Sequence, residues 1–202
     1  MINKLLKSIS FIFHPLLMPL VGILLYFSKS PRYFPVQIIK AKLISLAILT
    51  IILPILIFYL LKTLGKAKSI YLSTTKERIL PLALNCIIIL IIIVRLFPSS
   101  EIIELYFFFV GILLSTLACL ILVLLKFKAS IHMVAIAGVL MFATALSIHF
   151  SININGSLAI LTILAGAVAT SRLHLKAHTY RELVIGFFIG FIPQLLMINY
   201  WL

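Results

Sequence analysis

From Leu105 to Leu125 the chain runs LYFFFVGILLSTLACLILVLL without one charged residue. A run of about 20 apolar residues is the length of an α-helix across a bilayer core. Similar runs recur, among them ILPLALNCIIILIIIV at 79–94. In lipid the backbone must satisfy its own hydrogen bonds, which a helix does and an open strand does not. The whole chain of 202 residues is 64% hydrophobic and 10% charged. Soluble domains are about 45–50% apolar and about 25% charged. Composition therefore excludes a soluble globular protein, a disordered chain and a disulfide scaffold. The expected fold is all-α, one polytopic transmembrane helix bundle over 1–202 with six or seven spans.

Hydropathy and breaker residues predict helices over 9–28, 41–61, 75–97, 102–126, 131–150, 156–170 and 180–201. The first run begins with Lys4 and Lys7, like a signal peptide. No small-x-small cleavage site follows, and His14, Pro15 and Pro19 interrupt it. A retained helix or a re-entrant segment is expected there. CIIILIIIV reads as lipid-facing, whereas LAILTILAGAVAT is rich in small residues that let helices approach closely. Gly186 and Gly190 have the Gly-x-x-x-Gly spacing of another close contact. Thr74–Glu77 and Thr179–Glu182 have the spacing of capping boxes. Cys86 and Cys119 read as packing residues, and His14 and His149 as hydrogen-bonded or interfacial. Arg95 with Glu101 and Glu104 reads as a surface pair, and Tyr200 with Trp201 as an interfacial anchor.

Lys and Arg number 17 against 4 Asp and Glu, a net charge of +13. In a membrane chain that excess reads as topology and contact with anionic head groups, not as nucleic-acid binding. The charges fall in three clusters, at 62–78, 126–132 and 171–182. Two predicted helices separate each cluster from the next, so all three lie at the same face of the membrane. Collected there are Lys76, Arg78, Lys128, Ser130, His132, Arg172, His174, Lys176, His178, Arg181 and Glu182. Guanidinium groups make paired bonds to phosphate oxygens, and lysines add point charges. Histidine serves as nucleophile or general acid near neutral pH. Glu182 lies four residues after His178, so a helix would put them on one face. A carboxylate behind an imidazole fixes its tautomer, although a capping box alone also accounts for Glu182. His174 and His178 have the spacing of a zinc pair, but no third ligand is evident.

Ser171-Arg172, His178 after five further residues and Glu182 after three more resemble the third motif of the type 2 phosphatidic acid phosphatase superfamily. That motif normally ends in Asp. Ser130-x-His132 resembles the second motif, normally Pro-Ser-Gly-His, with Ala129 and Ile131 in place of Pro and Gly. Arg78 followed by Pro81 loosely resembles the first, a Lys followed by an Arg-Pro pair, with Lys76 the nearest lysine. The resemblance spans roughly residues 70–195.

The resemblance implies a metal-independent phosphomonoesterase or pyrophosphatase with a lipid phosphate as substrate and no cofactor. His178 would attack phosphorus, Glu182 would orient it, and His132 would protonate the leaving oxygen. Arg172, Arg78 and Ser130 would hold the phosphoryl oxygens, with Lys76 and Lys128 assisting. Two other readings stay open: a non-catalytic phospholipid-binding or transport protein, and a lipid-linked phosphotransferase. The count of positive charges favours a cytoplasmic site face. Resemblance to bacterial members implies an outward-facing site, and the short loops without a signal cleavage site make a bacterial inner membrane the expected location. The sequence leaves the oligomeric state open.

Overall fold

The structure, a computed structural model, describes residues 2–65 and 74–202. Residues 66–73 of the first basic cluster lie outside the described residues. The described residues form α-helices and turns and no strand. The helices are α1 (Ile2–Ile12), α2 (Met18–Lys29), α3 (Val36–Ala47), α4 (Leu53–Thr63) and α5 (Thr75–Ile91). They continue as α6 (Ile103–Leu124), α7 (Ile131–His149), α8 (Asn155–His174) and α9 (Tyr180–Met197). A π-helical turn at Ile48–Ile52 joins α3 to α4 as one span, and another at Ile92–Leu96 extends α5. Among the described residues seven helical stretches are long and apolar enough to cross a membrane. The chain is an integral-membrane helix bundle.

Predicted and observed boundaries agree closely except at three places; the second helix begins at Val36 rather than at 41. α8 runs on to His174, so Arg172 and His174 sit on its last turn rather than in a loop. The first predicted helix is two helices. Pro15 has no N–H and forces His14 into an extended conformation (φ −67°, ψ 140°), which separates α1 from α2.

α7 is the most enclosed span and packs on α2, α8 and α9, while α3–α4 is the most lipid-exposed. Lipid gives helices no hydrophobic reason to associate, so close backbone approach and interhelical hydrogen bonds matter more. α9 provides both. A Cβ at Gly186 would lie 2.8 Å from the Ser130 carbonyl oxygen, and one at Gly190 would overlap the Val134 carbonyl. The two glycines therefore seat α9 directly on the first turn of α7. Gln194, on the same helix, is buried and donates to the Phe108 carbonyl of α6 at 2.9 Å. The ring of Phe108 in turn stacks on Phe142 of α7, centroids 4.2 Å apart.

The end of the bundle opposite the basic clusters departs from the surface pair expected there. Glu104 is fully buried in the first turn of α6. Its Oε1 lies 2.7 Å from Arg32 Nη2 and 3.3 Å from His149 Nε2. Its Oε2 accepts from Arg32 Nη1 at 3.2 Å and from Tyr26 Oη at 3.3 Å. Glu101 instead pairs with Lys42 at 2.6 Å, and Arg95 is exposed. Trp201 is not an exposed anchor either: it is buried against His149, ring centroids 5.1 Å apart. Tyr200 is exposed, as an interfacial residue would be.

Replacing Glu104 by Ala leaves Arg32 and the buried ring of Tyr26 without their carboxylate. Breaking a fully buried pair typically costs about 3–5 kcal/mol. Arg32 is 45% exposed and can turn to solvent, so the expected loss is nearer about 2 kcal/mol. It would be read as a lowered unfolding midpoint in detergent, and an unchanged midpoint would contradict the burial of this group.

Candidate functional site

The loops that carry the candidate residues begin in the same way. α6 and α8 each end in a Schellman turn, with Lys126 (φ 64°) and Lys176 (φ 51°) in the left-handed region. Phe127 N donates to the Leu122 carbonyl at 2.8 Å, and Ala177 N to the Arg172 carbonyl at 3.1 Å. A lysine held there costs roughly 1 kcal/mol or more. The turns reverse the chain within a few residues, so α7 and α9 start beside the ends of α6 and α8. Lys128, Ala129 and Ser130 follow the first turn, and His178 and Thr179 follow the second.

Three contacts draw the loops together. Lys128 Nζ donates to the Ala177 carbonyl at 3.2 Å, and Arg78 Nη1 to the Ala129 carbonyl at 3.3 Å. Ser130 N donates to the Glu182 carbonyl at 3.0 Å, directly above Gly186. The parts of the basic clusters that carry these residues thus meet at one end of the bundle.

His178 and Glu182 form a dyad. His178 lies just before α9, and Glu182 in its first turn. His178 Nδ1 is 2.9 Å from Glu182 Oε2. The same oxygen accepts from Thr179 N at 3.0 Å, while Thr179 Oγ1 accepts from Glu182 N. The capping box and the dyad coexist: the cap anchors the carboxylate that contacts the imidazole. An ionised carboxylate only accepts, so His178 carries its proton on Nδ1, and Nε2 is left with the lone pair. Burial holds this imidazole far below its ordinary value of 6.5, down to about 4. The bond to Glu182 opposes that fall, and the Arg78 and Arg172 charges reinforce it. At neutral pH the ring is uncharged and able to attack an electrophile.

Arg78 and Ser130 are buried around the dyad. Among the described residues the Ser130 hydroxyl has no hydrogen-bond partner. An open groove of about 450 Å³ reaches the dyad and is lined by Lys128, Lys176, His178, Thr179, Tyr180 and Glu182. Lys76 is exposed on the first turn of α5 and does not line that groove. His132, half-buried in the first turn of α7, does not line it either. Its Nε2 is 3.2 Å from the Ser10 carbonyl oxygen, and its ring meets His14 edge to face at 5.4 Å.

α1 adds residues that the sequence did not single out. The Ser10 and Ser171 hydroxyls are 2.6 Å apart, and Arg172 Nη1 donates to Ser10 Oγ at 3.4 Å. Ser171 Oγ also lies 2.6 Å from the Leu6 carbonyl oxygen. The only sequence signal was a serine inside an apolar run. His174 contacts Asn3 of α1, and residues 175–179 are not helical, so His174 and His178 do not share a helix face. Among the described residues no three His, Cys, Asp or Glu side chains gather where they could hold a metal ion.

Taken together, the site offers a neutral imidazole oriented by a carboxylate, two arginines close enough to influence it and a buried hydroxyl. That set suits an electrophile carrying anionic oxygens. No known protein family, curated protein or solved structure matches the chain.

Proposed function

We propose that the protein is an integral-membrane lipid phosphatase of the bacterial inner membrane, with its site on the outward face. The observation that carries this reading is the His178–Glu182 dyad, 2.9 Å apart, with the imidazole uncharged and Nε2 bearing the lone pair. The substrate is a phosphate or diphosphate on a lipid, held at the membrane surface. His178 Nε2 attacks phosphorus, and the bond to the lipid oxygen breaks. His132 gives that oxygen a proton, so the lipid leaves as an alcohol, or as a monophosphate from a diphosphate. Water then displaces the imidazole from phosphorus and returns a proton to His132. Arg172, Arg78 and Ser130 stabilise the oxygens throughout, and Lys128 supplies charge at the groove mouth. The bond from the Ser130 backbone to Glu182 supports their acting as one unit.

The test is phosphate release by purified protein in detergent, with chelator present. Phosphatidic acid, phosphatidylglycerol phosphate, undecaprenyl diphosphate and lipid A make up the substrate panel. His178→Ala is expected to lose at least about a thousandfold in rate. Release by the variant at the wild-type rate would overturn the reading. Lipid binding without release would favour a transport protein, and acceptor-dependent transfer with little free phosphate would favour a phosphotransferase.

A further inference from the structure

α1 holds the site through polar contacts, with Ile9 half-buried against the core as its apolar one. Ser10 is its only buried residue among those whose side chains are described. Asn3 contacts His174, the Leu6 carbonyl meets Ser171, and Ser10 meets Ser171, Arg172 and His132. Asn3 and Ser10 are seven residues apart, two helical turns, so one polar stripe makes the docking face. Phe11 is 80% exposed and Ile12 57%, both turned away from the protein. Lys4 and Lys7 are exposed as well. Residues 6–12 also begin the first stretch long enough to cross a membrane, but a helix that is part apolar and part basic is equally suited to lie in the interface of an anionic bilayer. The chain after it is extended at His14, where Pro15 breaks the helix, so α1 and α2 are separate segments.

The contact with His132 is informative about what α1 covers. A backbone carbonyl only accepts, so His132 Nε2 carries a proton aimed at the Ser10 oxygen. A leaving-group oxygen would need that same proton. Arg172 meanwhile spends a guanidinium N–H on the Ser10 hydroxyl. Ser10 thus takes up two groups that a phosphate ester would need.

We propose that α1 is a lid: it covers the leaving-group side of the site through Ser10, and it opens by moving onto the anionic surface of the bilayer. The inference rests on the lipid-phosphatase reading for what is covered, but not for whether the helix moves. In the closed form a lipid phosphate reaches the dyad from the open groove yet cannot engage His132. Opening releases His132 Nε2 from the Ser10 carbonyl and takes the Ser10 hydroxyl away from Arg172.

The experiment ties α1 down. Asn3→Cys and His174→Cys, in a chain with Cys86→Ala and Cys119→Ala, are joined by a short thiol crosslinker that reductant cleaves. The protein is placed in vesicles containing phosphatidylglycerol, and histidine modification by diethyl pyrocarbonate is followed by peptide mass spectrometry. His149, 19% exposed at the opposite end of the bundle, is the internal reference. After reduction, His132 is expected to react at least about tenfold faster, relative to His149, than in the bridged protein. Equal relative rates would overturn the lid and make α1 a fixed wall. Equal rates in phosphatidylglycerol and in purely zwitterionic phosphatidylcholine vesicles would overturn the anionic surface as its partner. Phosphate release read on the same samples should fall on bridging and return on reduction. Undiminished release by the bridged protein would also overturn the lid. Protection of His132 on bridging, in a protein that releases no phosphate in either state, would uphold the lid and refute the phosphatase.

Discussion

Glu182→Gln should lower the rate of phosphate release by about a hundredfold to ten-thousandfold while barely moving the unfolding midpoint. The two halves of that expectation come from the two bonds Glu182 makes. Gln keeps a side-chain oxygen for Thr179 N, and capping boxes accept Gln at this position. What Gln cannot do is balance an imidazolium as it develops, or hold the Nδ1 proton as strongly. A purely structural Glu182 predicts the reverse pattern, with rate and stability unchanged in this variant and both lowered in Glu182→Ala. The pH profile adds a separate readout. Glu182 raises the His178 value, so its removal moves that value below about 4. The acid limb of the variant should therefore shift to lower pH. Lost rate at neutral pH then cannot come from a protonated imidazole. An acid limb moving towards neutrality would contradict this account of the dyad.

Gly190→Leu should cost about 3 kcal/mol or more, a large share of the stability of a typical domain. The new side chain would meet the Val134 carbonyl, which is fixed in the helical ladder of α7 and cannot rotate away. Relief requires α7 and α9 to separate. That would break the bond from Ser130 N to Glu182 O and pull the dyad from its neighbours. Both the unfolding midpoint in detergent and phosphate release should fall. Gly166→Ala is the matched control, since nothing lies within 4 Å of a Cβ there. Indistinguishable midpoints for the two variants would mean that α9 does not sit against α7 in this way.

The spans were legible because each is a long apolar run, and lipid permits little else. The capping box at Thr179 and the close contact at Gly186 and Gly190 were legible because each depends on local spacing. The opposite end was not. Glu104 reads locally like any helix-start acid, and its partners Arg32 and His149 are 72 and 45 residues away. Trp201 was misplaced for the same reason: an aromatic at the end of a span suits the interface until His149 is known to lie beneath it. At the candidate site the motif residues could be collected at one face by counting crossings. Ser10 could not, because its role depends on the break at His14–Pro15 that folds α1 back onto α8. Lys76 shows the converse: its neighbours in sequence suggest the site, but its helix face keeps it exposed.

The burial of Glu104 bears on how the chain is made. Synthesis runs from the N-terminus, so Tyr26 and Arg32 leave the ribosome first, Glu104 later, and His149 and Trp201 last. When α6 enters the bilayer, its carboxylate meets a guanidinium already in place and need not wait in hydrocarbon as a lone charge. His149 then closes on the carboxylate, with Trp201 packed against it. The order of residues along the chain is thus also an order of neutralisation, with the cation delivered before the anion that needs it.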